Sequence, residues 1–226
     1  MPRTSLDRQI HQVQEEILAL GSMVEQAMLT AIEALKNRDV QLARQVFHDD
    51  HAINYRRYAV ENNIIIILAT QQPMAHDLRL LSSLHEVCIE LERMGDYAKT
   101  VARVNISLGD YAGFIPMREF SQMADLGINM LHRALSAFIA EDSAAASQIP
   151  REDDAVDALF IRAQQAINTA MIAHPETIDH ASLLMWVAHD LERLADRVSN
   201  ICERTVFTVT GELLELETDD DDGEVE

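Results

Sequence analysis

The stretch ELERMGD at 90–96 returns a hundred residues later as DLERLAD at 190–196. Leu91, Glu92, Arg93 and Asp96 each meet an identical residue at that offset. Capping signals repeat as well: Asp39 and Asp142 stand 103 residues apart, each closing a turn before an apolar segment. A connection about three residues shorter in the second half accounts for the change of offset. No other feature constrains the fold as tightly. Whatever unit one copy of about a hundred residues forms, the chain forms it twice.

That unit is helical. Only seven Gly and five Pro interrupt 226 residues, and the abundant types are mostly good helix formers. Hydrophobic residues make up 48%, enough to bury real cores. Prolines and caps set the boundaries. A first helix is expected over about Ser5–Asn37. A second runs from Asp39 to about Thr70, closed by QQP, and a third covers about Met74–Leu108. GDYAGFIP at 109–116, with two glycines and a proline, is the linker. The second half replays the plan over about Met117–Glu141, Asp142–His174 and Thr177–Thr210. Pro150 falls inside the fifth helix, which should therefore kink or begin only after it. Short loops between long helices imply antiparallel neighbours. The expectation is an all-α protein of two tandem three-helix bundles, 1–108 and 117–211, with an acidic tail at 212–226.

Charge narrows the function. The net charge is −20, and residues 212–226 carry nine acids without a Lys or Arg, leaving 29 acids against 18 bases in the body. The tail has no apolar face to bury and reads as a disordered, solubilising extension. The body itself repels phosphate backbones, so nucleic-acid binding is excluded. Cys88 and Cys202 lie in apolar helical patterns without a CxxC pair and read as reduced core thiols of a cytoplasmic protein. The N-terminus has no apolar leader core, and the six-residue run IIIILA is too short to span a bilayer. Membrane contact is expected only through a partner.

Chemistry enters with the repeated motif. Glu92 and Asp96, like Glu192 and Asp196, are i,i+4 neighbours on one helix face, a like-charge spacing that costs roughly 0.2–0.5 kcal/mol. Either Arg93 and Arg193 neutralise the pairs, or each site holds a cation. Heights along antiparallel helices offer a test. With the turn near 72–73, Glu92 stands opposite position 53 and Asp96 opposite 49, which brings Asp49, Asp50 and Asn54 to the right level. With the second turn near 174–175, Glu192 stands opposite Asp157 and Asp196 opposite Asp153. Oxygen-rich clusters of this kind suit Mg, Ca, Mn or iron. The small Gly95 and Ala195 leave room for an ion or for a closely packed helix. A solvated ladder of Glu90, Arg93 and Asp96 is the alternative for one copy, and the duplication favours the ion. Height does not fix helix rotation, so the aspartates of the second and fifth helices are the less constrained.

With these residues in hand the chain resembles the PhoU family of phosphate-uptake regulators over about Ser5–Thr210. The duplicated three-helix plan, the Glu-x-x-x-Asp motif within LERMGD and LERLAD, and QQPMAHDLR at 71–79 carry the likeness. The last is similar to the family's RQP-x-A-x-DLR. Gln71 departs from it, as does Thr100 where the second copy has Asn200, and Tyr97 and Arg197 stand where the family often has His. The resemblance implies metal at Glu92, Asp96, Glu192 and Asp196: multinuclear iron in some members, Zn, Mg or Mn in others. It also implies a cytoplasmic, often dimeric, non-enzymatic adaptor that represses phosphate-starvation signalling. Such an adaptor links the ATPase of the phosphate ABC transporter to a sensor histidine kinase.

Three competing functions are weighed on the residues. A ferritin-like di-iron oxidase needs Glu-x-x-His motifs, and the chain has none. A phosphotransfer domain would use His189 in HDLERLAD, but no Gly-rich ATP segment accompanies it and its counterpart is Ile89. A metal-free adaptor would tolerate Glu92→Ala and Asp96→Ala without change of fold or partner. His85, His132 and His174 read as ordinary surface or cap residues.

Overall fold

A computed structural model of the chain describes residues 3–216. The expected acidic tail lies outside the described residues from 217 onward. Helix α1 (Arg3–Asn37) forms because apolar residues recur every three or four positions. Ile10, Val13, Ile17, Leu20, Val24, Met28, Ala31 and Leu35 make one stripe, none more than 6% exposed. Residues 5–37 are long and apolar enough to cross a membrane by length and composition, a property they share with any core helix of this kind.

The end of α1 is local chemistry. Arg38 takes φ +56°, the left-handed conformation that stops a helix, and the Asp39 N–H reaches back to the Ala34 carbonyl at 2.8 Å. The Asp39 carboxylate then caps α2 (Val40–Gln71) by accepting from the Leu42 N–H at 2.9 Å. The second copy repeats each step. After α4 (Met117–Ala140), Glu141 takes φ +53°, the Asp142 N–H meets the Ala137 carbonyl at 2.9 Å, and the Asp142 carboxylate accepts from Ala145 N–H at 2.9 Å.

The fifth helix breaks at Pro150, as the sequence predicts. A continuous element from Asp142 to His174 does not form; instead α5 (Ser143–Ala146) is followed by a 3-10 turn at Ile149–Glu152 and then α6 (Asp153–Ala173). Pro150 lacks the N–H for a helical bond, and its ring would strike the carbonyl four residues back, at Ala146, where α5 ends. The remaining elements are α3 (His76–Leu108) and α7 (Ile178–Thr210), the latter entered through a 3-10 turn at Pro175–Thr177.

Helices α1, α2 and α3 pack as one bundle and α4, α6 and α7 as the other. The bundles join side by side, α3 against α7 and α1 against α4, leaving α2 and α6 outermost around a continuous apolar core. Gly21 lets α1 approach Leu135 of α4, and Gly127 lets α4 approach Leu194 of α7; a β-carbon at either would overlap that leucine. Helices α3 and α7 run antiparallel. Thr208 Oγ1 donates to Ser83 Oγ at 2.8 Å, Arg79 Nε to the Thr208 carbonyl at 3.2 Å, and Arg197 to Tyr97 OH at 3.2 Å and Glu90 at 3.4 Å. Arg79 of the QQPMAHDLR segment thus satisfies a carbonyl in the last turn of α7. Tyr97 and Arg197 are repeat counterparts, so the repeats meet there through equivalent positions.

The linker at 109–116 is strapped down. The Arg38 guanidinium donates to the carbonyls of Tyr111 and Gly113, and the Tyr111 ring stacks on His180 with centroids 4.7 Å apart. Beyond α7, the Leu216 N–H donates to Glu203 at 3.2 Å.

Candidate metal centre

The first cluster is built on facing stretches of α2 and α3. Adjacent helical residues point about 100° apart, so α2 presents only one of its two aspartates to the core. That residue is Asp50, 4% exposed. Asp49 is turned outward, where it joins Asp50 in lining a groove of about 570 Å³ between α1 and α2. Asn54, one turn along, donates from Nδ2 to Asp50 Oδ2 at 2.9 Å. Lys99 of α3 donates to the same oxygen at 2.6 Å, while Oδ1 of Asp50 is buried without a partner.

Glu92 and Asp96 project from α3 beside them. Burial raises the Glu92 carboxyl above its ordinary range; Asp96 and then Asp50 add to that, while Arg57 and Arg93 oppose it. Burial also raises Asp96, followed by repulsion from Asp50, against the pull of Lys99 and Arg93. Gly95 serves close packing: a β-carbon there would stand 3.2 Å from two atoms of Ile53 on α2.

The second cluster repeats the first on α6 and α7, with Asp153 in place of Asp50 and Asp157 in place of Asn54. Asp153 opens α6 and is 6% exposed. Its pKa is pushed up to about 7 by burial, then by Asp196, Asp157 and Glu192. Glu192 is raised by burial and by Asp196, and a hydrogen bond from His189 at 3.1 Å works the other way. Burial raises Asp196 against the nearby Arg197 and Arg193. Oδ1 of Asp153 is buried without a partner, as is Oγ of Ser199, the counterpart of Lys99.

The neighbouring arginines act at a distance. Among the described residues neither Arg93 nor Arg193 closes an ion pair on a motif carboxylate, and Arg193 lies over the Tyr97 ring at 5.3 Å. Asn200, one turn beyond Asp196, is half-buried and makes no hydrogen bond to the cluster among the described residues. Nor do three carboxylate, imidazole or thiol groups among the described residues converge closely enough to cage an ion as they stand.

Lys99, Arg57 and Asp190 belong to this region and are not marked by the acidic motif. The repeat offset does carry a signal for the first, since position 99 is Lys in one copy and Ser in the other. Asp190, counterpart of Glu90, is 6% exposed, and its pKa is pushed up to about 6 by burial, with His189, Arg193, Thr100 and Arg103 pulling it down. Cys88 and Cys202 are buried thiols pushed up to about 12 by desolvation, which removes them as nucleophiles.

The PhoU domain family matches the chain twice, at residues 17–104 and 120–205. A Streptococcus pneumoniae protein named as a phosphate-specific transport system accessory protein PhoU homolog is 32% identical over 214 residues, spanning 95% of this chain and 99% of that protein. The Escherichia coli phosphate-specific transport system accessory protein PhoU is 31% identical over 204 residues, 90% of this chain and 85% of its own length. The crystal structure of the phosphate transport system regulatory protein PhoU from Streptococcus pneumoniae superposes with a TM-score of 0.86 at 31% identity, covering 93% of this chain and all of that one. PhoU from Pseudomonas aeruginosa superposes at 0.84, with 32% identity and coverage of 91% and 99%.

Proposed function

The chain belongs to the PhoU family, and from that premise we propose that it regulates phosphate-specific uptake as a cytoplasmic, metal-binding adaptor with no catalysis of its own. The names of its relatives as accessory or regulatory proteins of phosphate transport support the regulator. One observation carries the metal. Asp153 holds a buried, unpartnered oxygen among Asp157, Glu192 and Asp196, and desolvated carboxylates that repel one another are stabilised by a cation.

The donor set fits. Carboxylate oxygens without thiolate favour Mg, Mn or ferric iron over Zn. Asp153, Asp157, Glu192 and Asp196 would hold the ion in the second copy; Asp50, Glu92 and Asp96 stand at the corresponding level of the first, where Lys99 already pairs with Asp50. A bound cation would supply positive charge, which offsets the clustered acids and offers a point of attraction for inorganic phosphate. Equal phosphate binding by metal-loaded and metal-stripped protein would remove that last step.

An adaptor needs docking faces as well. Tyr55, Tyr58 and Ile65 on α2, and Ile161 and Trp186 on α6 and α7, are all more than half exposed and suit contact with the transporter ATPase, the sensor histidine kinase or a second copy in a homodimer. The experiment is co-purification of the full chain with each partner, with Mn2+ present and absent, for wild type and Glu192→Gln/Asp196→Asn. Metal-dependent retention lost in the variant is expected; identical retention throughout sinks the metal's role. The metal-free adaptor is favoured by the lack of three converging donors among the described residues. Elemental analysis of protein purified without chelator separates the two.

A further inference from the structure

We infer that the two carboxylate clusters are chemically unequal: in the first copy Lys99 is a built-in counter-ion occupying the role of a cation, and only the second copy keeps a cation site. This deepens the metal-binding reading above and rests on it.

The argument is a comparison of counterparts. Around buried Asp50 stand two hydrogen donors, the Lys99 ammonium at 2.6 Å and the Asn54 amide nitrogen at 2.9 Å, both on Oδ2. Neither ammonium nor amide nitrogen ligates a hard cation, and the ammonium repels one. Lys99 is held a second time, its Nζ lying 5.5 Å from the centre of the Phe47 ring. In the second copy all three positions change together: Lys99 becomes Ser199, Asn54 becomes Asp157, and Phe47 becomes Pro150. Two donors are thereby replaced by oxygen acceptors, and the aromatic that steadies the ammonium is gone.

What remains around Asp153 is Asp157, Glu192 and Asp196, with Oδ1 of Asp153 and Oγ of Ser199 unpartnered. The cationic neighbours act on the α7 carboxylates and not on Asp153. His189 engages Glu192, Arg193 lies over Tyr97, and Arg197 is bonded to Tyr97 and Glu90. Because Pro150 breaks the helix, Asp153 also sits at the N-terminus of α6, whose dipole offers about half a unit of positive charge. That does not balance Asp153 together with Glu192 and Asp196. Asp50, in mid-helix, has no such dipole and relies on Lys99.

The test is Mn2+ binding to the metal-stripped full chain by equilibrium dialysis and electron paramagnetic resonance. Wild type should show one class of site, lost in Asp153→Asn and in Ser199→Lys and unchanged in Asp50→Asn. Lys99→Ser should roughly double the bound Mn2+ by opening the first cluster. The near-isosteric Asn variants keep the test decisive where Ser199→Lys does not fold. Wild-type binding halved by Asp50→Asn, or kept in Asp153→Asn, overturns the inequality while leaving metal binding in place. No Mn2+ bound by wild type removes the metal reading itself, and the inequality with it.

Discussion

Single side chains explain why the two copies are alike in shape and different in charge. Gly95 approaches Ile53 within 3.2 Å of where its β-carbon would stand; at the corresponding positions the second copy has Ala195 and Val156, one methylene moved across the contact. Gly95→Ala gains helix propensity of about 1 kcal/mol but overpacks a buried isoleucine by about 1–3 kcal/mol. A net loss of about 1 kcal/mol is expected in urea unfolding. Ile53→Val in the same chain should recover about that amount as a coupling energy; strictly additive losses would show that the two residues do not share space. The Lys99–Asp50 pair makes a second case. Lys99→Met strands a buried carboxylate, at a cost of about 2 kcal/mol once the partial exposure of the lysine is discounted. Adding Asp50→Asn should return most of it. The acidic pattern alone could not separate Asp49 from Asp50, because helix rotation, not height, decides which of two adjacent residues is buried.

Helices and their ends were the most legible level of this molecule. Five of the six long helices start and stop within about two residues of their expected bounds, since caps, prolines and left-handed residues act over a single turn. The left-handed Arg38 and Glu141 occupy corresponding positions ahead of Asp39 and Asp142, so the helix-stop-cap sequence is duplicated atom for atom. Asp39→Ala should cost about 1 kcal/mol by thermal or urea melting, because it strips one accepted bond from the first turn of a 32-residue helix. A change below a few tenths would mean that water replaces the cap without loss. The register of α6 against α7 was also readable, since Asp196 of α7 is the foremost charge felt by Asp153. Docking of one repeat on the other was not. Turn positions relate consecutive helices only, whereas α3 against α7 is set by buried surface and by pairs such as Arg79 with the Thr208 carbonyl, whose sequence separation leaves no periodic trace.

At the scale of the whole chain, the perturbed carboxylates all move the same way. Glu92, Asp96, Asp153, Asp190, Glu192, Asp196 and Glu203 are each held above their ordinary values, burial being the first cause in every case. In the unfolded chain these groups titrate near 4, whereas folded Asp153 and Asp190 titrate at about 7 and about 6. Between those limits the folded protein binds more protons than the unfolded one, so this contribution to stability is complete below about pH 4 and declines as pH rises through about 7. Metal-stripped protein should therefore melt at a higher temperature at pH 5.5 than at pH 7.5 (about two units apart on that slope), opposite to a protein held by salt-bridged acids. Asp153→Asn should flatten the slope and raise the melting temperature at pH 7.5. A cation must act in the reverse sense, because ligation needs the ionised carboxylates that the bare fold disfavours. The gain in melting temperature from Mn2+ should then be largest above pH 7 and fade on acidification. A metal-stripped chain that grows steadily more stable from pH 5 to 8, with no Mn2+ increment at the upper end, would mean that the clustered acids are already neutralised within the fold, and that no ion is needed to hold either cluster together.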